Sequence, residues 1–217
     1  MTNGPSLTEK VYRHLKELVV KGHISPGGQI FEDQVTKELR VSRTPVREAL
    51  QRLEFEGLVE VRPHKGTFVT QLNQQSLRDI FEFREAIEGQ AARLATERMG
   101  EETRSSLEHL LELFGRSVAL SDPKLFHEAD TLLHRTLVRA CGNRKIQQAI
   151  DILESQIART RFLSIIALNR MEKSWHEHEA IIKAVMRRDA REAAEAMRSH
   201  IRAVYQNLTE NLGRIIV

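Results

Sequence analysis

Asp130 and His134 have the residue types and the spacing of two ligands for one metal ion. They lie four residues apart in LFHEADTLLHRTLVRACGN, residues 125–143, a stretch that predicts an amphipathic helix. Side chains four apart share one helical face, and Phe126, Leu133 and Leu137 on that face predict that it is buried. A buried carboxylate without a partner is costly. A metal ion shared with His134 would supply that partner.

Two further histidines fall on the apolar stripes of two other predicted helices. His178 is in register with Ile181 and Val185, and His200 is in register with Met197. Taken alone, each histidine is more often an ordinary core or surface residue than a ligand. Together, one aspartate and three histidines could surround a divalent cation, which would neutralise the carboxylate and satisfy the imidazoles. The candidate metal ligands are Asp130, His134, His178 and His200.

An arginine also lies on a predicted buried stripe. The stretch SLRDIFEFREAIEGQAARLATERM predicts a helix whose inward positions include Leu77, Ile80, Ile87 and Leu94, and Arg84 falls among them. Such an arginine either extends its charged end to the surface or binds an anion. Arg84 is therefore a candidate anion-binding residue.

The first 70 residues predict three short helices followed by a two-stranded hairpin. The segment SPGGQ ends the first helix, Ser42 is the expected N-cap of the third helix, and Gly57 is its expected stop. The hairpin is expected in LVEVRPHKGTFVT, around the tip PHKG. In this hairpin Val59 and Val61 are expected against Phe68 and Val69.

The third predicted helix exposes a polar and basic face opposite its apolar positions. Three arginines and no acid lie between Arg40 and Arg47. A short helix, a turn and a second helix that exposes Arg, Thr and Gln suit the DNA major groove, where arginine pairs with guanine. The alternative is that this face is only solvated surface. The candidate DNA-binding residues of this face and of the wing tip are Ser42, Arg43, Thr44, Arg47, Gln51, His64, Lys65 and Gly66.

Composition restricts the class of protein. The chain has 217 residues, of which 41% are hydrophobic and 29% charged, which is typical of a soluble protein with one or two domains. The single cysteine, Cys141, excludes an intrachain disulfide and a multi-cysteine zinc cluster. No secretory signal and no membrane span are expected, which predicts a cytoplasmic protein. The net charge of +3 by itself says little about nucleic acid.

These patterns predict a mainly α protein with two domains. Residues 1–70 are expected to form a winged helix–turn–helix domain with three helices and a two-stranded wing. Residues 71–75 are the expected linker, and residues 76–217 are expected to form an all-α bundle of about six helices.

The stretch SRTPVREALQRLEFEGLVEVRPHKGTFV closely resembles the signature of GntR-family winged helix–turn–helix regulators. The resemblance spans residues 7–70 and implies sequence-specific binding to double-stranded DNA. It implies base or phosphate contacts from Arg43, Thr44 and Arg47, with His64 and Gly66 in the wing. The chain departs from the family at Glu32 and Asp33, where other members carry an arginine, so a backbone contact is not carried over there.

The second half resembles the all-helical FCD-type ligand domain of the FadR-like branch. The resemblance rests on DIFEFREAIEGQAARLA, FHEADTLLHRTLVRACGN and HEHEAIIKAVMRRDAREAAEAMRSHI. It implies that the Asp and three His bind Zn²⁺, Ni²⁺ or a similar ion, and that Arg84 faces a small carboxylate effector beside the metal. It also favours a repressor over an activator.

Four functions remain open from the sequence. The favoured hypothesis is a regulator whose operator binding is controlled by a small organic acid beside the metal. A direct metal-ion sensor and a regulator with a purely structural metal are the alternatives. A metal-dependent hydrolase is the least favoured, because no further Glu or His stands out as a general base.

A homodimer on a pseudo-palindromic operator is expected, since one winged domain reads only a few base pairs. Leu110, Leu111 and Phe114 are candidates for an exposed apolar interface, although the same residues are compatible with core packing.

Overall fold

The computed structural model describes residues 5–167, 170–211 and 213, and within them the chain forms two compact units. The first comprises the N-terminal part up to Leu72 together with Leu153–Arg159. The second comprises Asn73–Ile152 and continues from Thr160. The predicted helix break near Asn169 lies outside the described residues.

The first unit has a helical core with a small sheet. Its apolar centre includes Val11, Leu15, Val46, Leu53 and Val69, all of which are fully buried. Ser42 is the N-cap of the third helix, and Gly57 follows its end with a φ of 71°, a conformation that favours glycine. The elements are α1 (Leu7–Val20), β1 (Gln29–Ile30), α2 (Glu32–Leu39), α3 (Arg43–Phe55), β2 (Val59–Arg62) and β3 (Gly66–Val69).

The sheet has one strand more than the predicted two-stranded wing. β1 pairs with β3 on the side away from β2, so the order is β1-β3-β2 and both pairings are antiparallel. Val59 lies opposite Val69 as expected, and both are buried. Phe68 is not opposite a valine, because it pairs with Glu60 on the other face of the sheet. Val61 pairs with Thr67 and is 50% exposed.

The second unit contains the six predicted helices, except for Leu153–Arg159 of the fourth, which belongs to the first unit. A capping box at Asn73 and Ser76 begins the first of them, and the Asp122 side chain with Pro123 begins the third. The helices are α4 (Gln74–Glu97), α5 (Glu101–Ala119), α6 (Pro123–Ala140), α7 (Arg144–Phe162), α8 (Met171–Met186) and α9 (Ala190–Glu210). A short π-helical segment, Leu163–Ala167, follows α7 directly. α4 packs along α9, α5 along α6, and α8 along α9.

The expected exposed interface on α5 is wrong for two of its three residues. Leu110 and Phe114 lie in the core, 3% and 0% exposed, together with Leu107. These positions repeat at the three- and four-residue spacing of a helical core stripe, and α5 turns this stripe toward α6 and α8. Among the described residues, no helix has the length and apolar character needed to cross a membrane.

Candidate metal centre and nucleic-acid interface

Three helices bring the four predicted metal ligands together. Asp130 and His134 come from α6, His178 from α8 and His200 from α9, and each residue is no more than 2% exposed. One nitrogen or oxygen of each residue lies within 4.8 Å of the corresponding atoms of the others. Metal–ligand bonds of about 2.1 Å allow at most about 4.2 Å between two ligand atoms. A bound ion would therefore need only a small inward adjustment.

Two carboxylates orient the histidine rings. Nδ1 of His134 is hydrogen-bonded to Glu88, and Nδ1 of His200 lies 2.7 Å from Oε2 of Glu177. Because an ionised carboxylate can only accept, each Nδ1 carries the proton, which leaves the Nε2 lone pair available. This is the tautomer that a metal-binding histidine needs when it coordinates through Nε2.

Burial and neighbouring charges shift the pKa of three of the four candidate ligands, Asp130, His134 and His200, toward the forms that bind a metal. Burial, reinforced by the neighbouring His178, lowers the pKa of His200 to about 3, so its imidazole is neutral near pH 7. Burial and the adjacent Arg161 also lower the pKa of His134. Burial alone raises the pKa of Asp130, but contacts with His178, His134 and Arg161 outweigh it and hold the pKa well below its usual range.

Several buried atoms of the four residues have no hydrogen-bond partner among the described residues. Oδ2 of Asp130, Nε2 of His134 and Nδ1 of His178 are all in this state. Nε2 of His178 lies 3.1 Å from Oδ1 of Asp130, and Nε2 of His134 lies 3.7 Å from the same oxygen. Buried polar atoms of a native protein normally have partners. The donor set and its unpartnered atoms therefore fit a divalent cation.

Arg84 is buried as predicted, but it already forms an ion pair with Glu88 of its own helix. The side chain is 1% exposed, and its Nε lies 2.6 Å from Oε1 of Glu88, four residues further on. Glu88 also contacts His134, and its Oε2 lies 3.4 Å from Nη2 of Arg161. A carboxylate of the chain thus meets the need of Arg84 for an anion. Its contact with an effector stays a prediction.

Several charged residues around the site were not predicted from the sequence. No further Glu stands out from the sequence as a general base, yet Glu88 and Glu177 both contact histidines of the candidate site. The spacing of Arg84 and Glu88 along one buried stripe could have identified Glu88. No comparable signal identifies Arg161 or Glu177, because tertiary packing places them. Arg170 completes the group by pairing with Glu177 at 2.5 Å.

A small cavity adjoins the ligands. Its volume is about 10 Å³, room for about one water molecule. The lining residues are Arg84, Asp130, Arg161, Ser164, Ile165, Ser174, His200 and Val204.

Aromatic rings enclose the site on the side of His178. The His178 ring lies 4.8 Å from the Phe114 ring and 5.7 Å from the Phe126 ring, measured between centroids. The Trp175 ring is 5.8 Å from that of Phe114. The single tryptophan of the chain therefore lies one ring away from a candidate ligand.

In the first unit, the eight predicted DNA-binding residues are all exposed. The inward face of α3 consists of Val46, Ala49, Leu50 and Leu53, as expected, and all four are buried. Ser42 is at the N-cap, and its side chain makes no capping hydrogen bond. The exposed residues are Ser42, Arg43, Thr44, Arg47 and Gln51 at α3, and His64, Lys65 and Gly66 at the wing tip.

Two carboxylates of α2 hold the arginines of this face. Arg43 lies 2.9 Å from Asp33, and Arg47 lies 2.9 Å from Glu32. Both arginine side chains remain more than 60% exposed. Asp33 and Glu32 therefore neutralise the two arginines expected to contact DNA.

The wing tip has a structural requirement for Gly66. Its φ is 107°, and a Cβ at this position would lie 2.9 Å from the side-chain amide of Gln29. That amide donates a hydrogen bond to the carbonyl of Lys65 at 2.9 Å. The turn itself therefore favours glycine, whether or not DNA approaches it.

Two family models match the chain. The FCD domain matches residues 79–203, and the model for bacterial regulatory proteins of the gntR family matches residues 7–69. The chain therefore belongs to the GntR family of bacterial regulators, in the group that carries an FCD domain. It is a DNA-binding transcriptional regulator and not an enzyme, as the sequence predicted.

Sequence similarity to other transcriptional regulators extends along most of the chain. The HTH-type transcriptional repressor RspR of Escherichia coli K12 is 28% identical over 206 residues, 94% of this chain and 90% of that protein. The HTH-type transcriptional repressor GlaR of the same strain is 30% identical over 201 residues, 88% of this chain and 90% of GlaR.

Solved structures show the same fold. A GntR regulator from Rhodococcus sp. RHA1 has a TM-score of 0.77 at 21% identity, covering 94% of this chain and 99% of that chain. McbR/YncC of E. coli has a TM-score of 0.76 at 22% identity, with the same coverage.

Proposed function

We propose that this regulator is a repressor whose operator binding is controlled by a small organic acid bound beside a divalent metal in the second unit. The observation that carries the proposal is the cluster of four buried ligand atoms within 4.8 Å. Two similar proteins, RspR and GlaR, are named as repressors.

Asp130, His134, His178 and His200 would hold the metal, with Zn²⁺ or Ni²⁺ as the candidates that a nitrogen-rich donor set favours. The bound ion would supply positive charge and open coordination positions for an acid. The chain contributes neutral imidazoles, oriented by Glu88 and Glu177. Because the ligands come from α6, α8 and α9, metal binding would also fix these helices to one another.

The exposed face of α3 and the wing tip would contact the operator. We expect Arg43 and Arg47 to form hydrogen bonds with bases. Ser42, Thr44 and the N-terminus of α3 are expected to bind phosphates. Both arginines would first leave Asp33 and Glu32. We propose that two copies of the chain bind a pseudo-palindromic site, since a single head contacts few base pairs.

The acid controls DNA binding only to the extent that it binds one state of the protein better than the other. The cavity of about 10 Å³ is too small for an organic acid, so binding requires its walls to move. The same small volume favours a second candidate, in which the metal has a purely structural role.

The proposal is tested by measuring operator affinity with fluorescence anisotropy, on DNA selected by the protein from a random pool. Metal-loaded protein is compared with protein treated with a chelator, and then titrated with a panel of small mono- and dicarboxylates. We expect at least one acid to change the affinity of the loaded protein. If no acid does so, the proposed control is wrong, and the comparison with chelator-treated protein distinguishes a direct metal-ion sensor from a purely structural metal.

A matched pair of variants tests whether the response of operator affinity to acid depends on the metal site. His178→Ala should abolish the response to acid together with metal retention. His176→Ala changes an exposed histidine two positions away on α8 and should preserve both. Stoichiometric metal in the His178→Ala protein would contradict the ligand assignment.

A further inference from the structure

Arg161 is a buried cation whose hydrogen-bonding groups are only partly used. The residue is 4% exposed, and its Nε and Nη1 have no hydrogen-bond partner among the described residues. Its ion pairs are long, 3.4 Å from Nη2 to Glu88 and 3.6 Å from Nε to Asp130. Arg84, by contrast, has a short ion pair with Glu88. Arg161 is therefore the arginine of this cluster with donors available for another anion.

A second unpartnered group lies beside it. Ser164 is 2% exposed, its hydroxyl has no partner among the described residues, and both Ser164 and Arg161 line the cavity next to Asp130. Ser164 belongs to the π-helical segment that follows α7. Short π-helical segments occur frequently at functional sites. The cavity thus presents a guanidinium and a hydroxyl that both require an acceptor.

The charges of the buried cluster balance only before a metal binds. The guanidinium groups of Arg84 and Arg161 match the carboxylates of Glu88 and Asp130, and the pair of Arg170 with Glu177 is neutral. Metal-binding histidines are neutral, so a divalent ion adds two positive charges that no described side chain of the cluster compensates. Uncompensated charge in a buried site is costly.

We propose that the effector is a compact dianion, which binds Arg161 and Ser164 with one oxyanion group while its second group lies beside the metal. This inference rests on the proposed function and adds the charge class of the ligand and the residues that select it. A monocarboxylate would leave one positive charge of the loaded site uncompensated.

The test compares dianions with monoanions of matched size on the full-length, nickel-loaded protein by isothermal titration calorimetry. Malonate, succinate and malate are each compared with the corresponding monomethyl ester, and sulfate distinguishes an inorganic oxyanion from a dicarboxylate. Nickel content is measured after each titration, because dicarboxylates can remove metal. We expect at least one dianion to bind about tenfold more tightly than its monoanion, the change expected for one charge-assisted hydrogen bond.

Variants of the two residues identify the subsite. Arg161→Gln and Ser164→Ala should each reduce this preference for the dianion while nickel remains bound at one ion per chain. Arg161→Lys keeps the positive charge and should retain part of the preference, which keeps the test valid if Arg161→Gln fails to fold.

The outcomes separate the inference from the proposed function. If monoanions bind as tightly as dianions, or if neither Arg161→Lys nor Ser164→Ala changes the preference, the dianion subsite is wrong and acid control can still hold. If neither class of acid binds to nickel-loaded protein, both proposals are wrong. If only sulfate binds, the site takes a single oxyanion group, and both the two-group dianion and the proposed organic acid are wrong.

Discussion

At the scale of single residues, the candidate centre depends on side chains that contact the ligands as much as on the ligands themselves. Glu88 and Glu177 fix the orientation of two histidines, and Glu88 also balances two arginines. Each carboxylate therefore has a role that can be measured separately, in metal affinity or in stability.

Glu177→Gln tests the role in metal affinity. The substitution keeps the size of the side chain but removes the charge that holds Nδ1 of His200. We expect metal affinity to fall by about 10- to 100-fold, as is typical when the hydrogen-bond partner of a ligand is changed. Competition with a coloured chelator measures it. Glu179→Gln, on the same helix but paired with Lys183, is the control and should leave metal affinity unchanged.

Glu88→Gln tests the role in stability. Without this carboxylate, Arg84 and Arg161 would be buried beside a neutral amide. We expect the metal-free protein to lose about 3–5 kcal/mol of unfolding free energy, measured by urea denaturation. The control is Glu85→Gln, whose partly exposed pair with Arg202 should contribute no more than about 1 kcal/mol. Equal losses in the two variants would contradict the proposed charge balance.

The sequence predicts the four candidate ligands because each lies on the apolar stripe of its own helix, where an unpaired polar group is unexpected. The same reasoning also identifies Glu88, since it lies four residues from Arg84 on one helical face. Arg161 of α7 and Glu177 of α8 could not be identified in this way, because only tertiary packing brings them to the site.

At the scale of elements, the relation between α2 and α3 is the feature that distinguishes this chain from the signature it matches. Asp33 and Glu32 neutralise Arg43 and Arg47 in the free protein. DNA must therefore compete with two carboxylates for these arginines, and the carboxylates also repel phosphate.

Replacing Glu32 by Gln together with Asp33 by Asn should raise DNA affinity. Each exposed ion pair contributes about 0.2–1 kcal/mol, which predicts a gain of about 2- to 30-fold for the double variant. Fluorescence anisotropy at low salt measures the gain. Glu38→Gln removes one charge elsewhere on α2, where Glu38 pairs with His14, and should have the smaller effect. The account is contradicted if the double variant binds no better than Glu38→Gln.

Arg47→Ala separates base contacts from phosphate contacts. If Arg47 contacts a base, its loss should cost about 1–3 kcal/mol on the operator and relax the specificity at one position. Binding to random DNA should change much less. An equal loss on both DNAs would mean that Arg47 contacts only phosphate.

The helices of both units follow from sequence periodicity and caps, and their predicted ends agree with the structure at Ser42 and at Asp122–Pro123. β1 could not be predicted in this way, because its two residues form a strand only by pairing with β3. Sequence periodicity also does not show whether Leu110 and Phe114 are buried or exposed, because an apolar helical stripe has the same pattern in a core and at an interface.

At the scale of the whole molecule, the second unit contains a buried polar cluster that is electrically balanced without metal and positively charged with it. Metal binding and acid binding are therefore expected to be coupled, and each should stabilise the folded chain. Nickel at a hundred times its dissociation constant should add about 2.7 kcal/mol. Thermal unfolding with and without chelator measures this gain, which should be absent in a His134→Ala variant.

Native mass spectrometry of the purified chain, after loading with nickel or zinc and removal of free metal, tests whether the four candidate ligands bind an ion. We expect one divalent ion per chain in the wild type and in His176→Ala, and none in Asp130→Asn combined with His200→Ala. A wild-type chain that retains no metal, or a double variant that still holds one ion per chain, would contradict this ligand assignment.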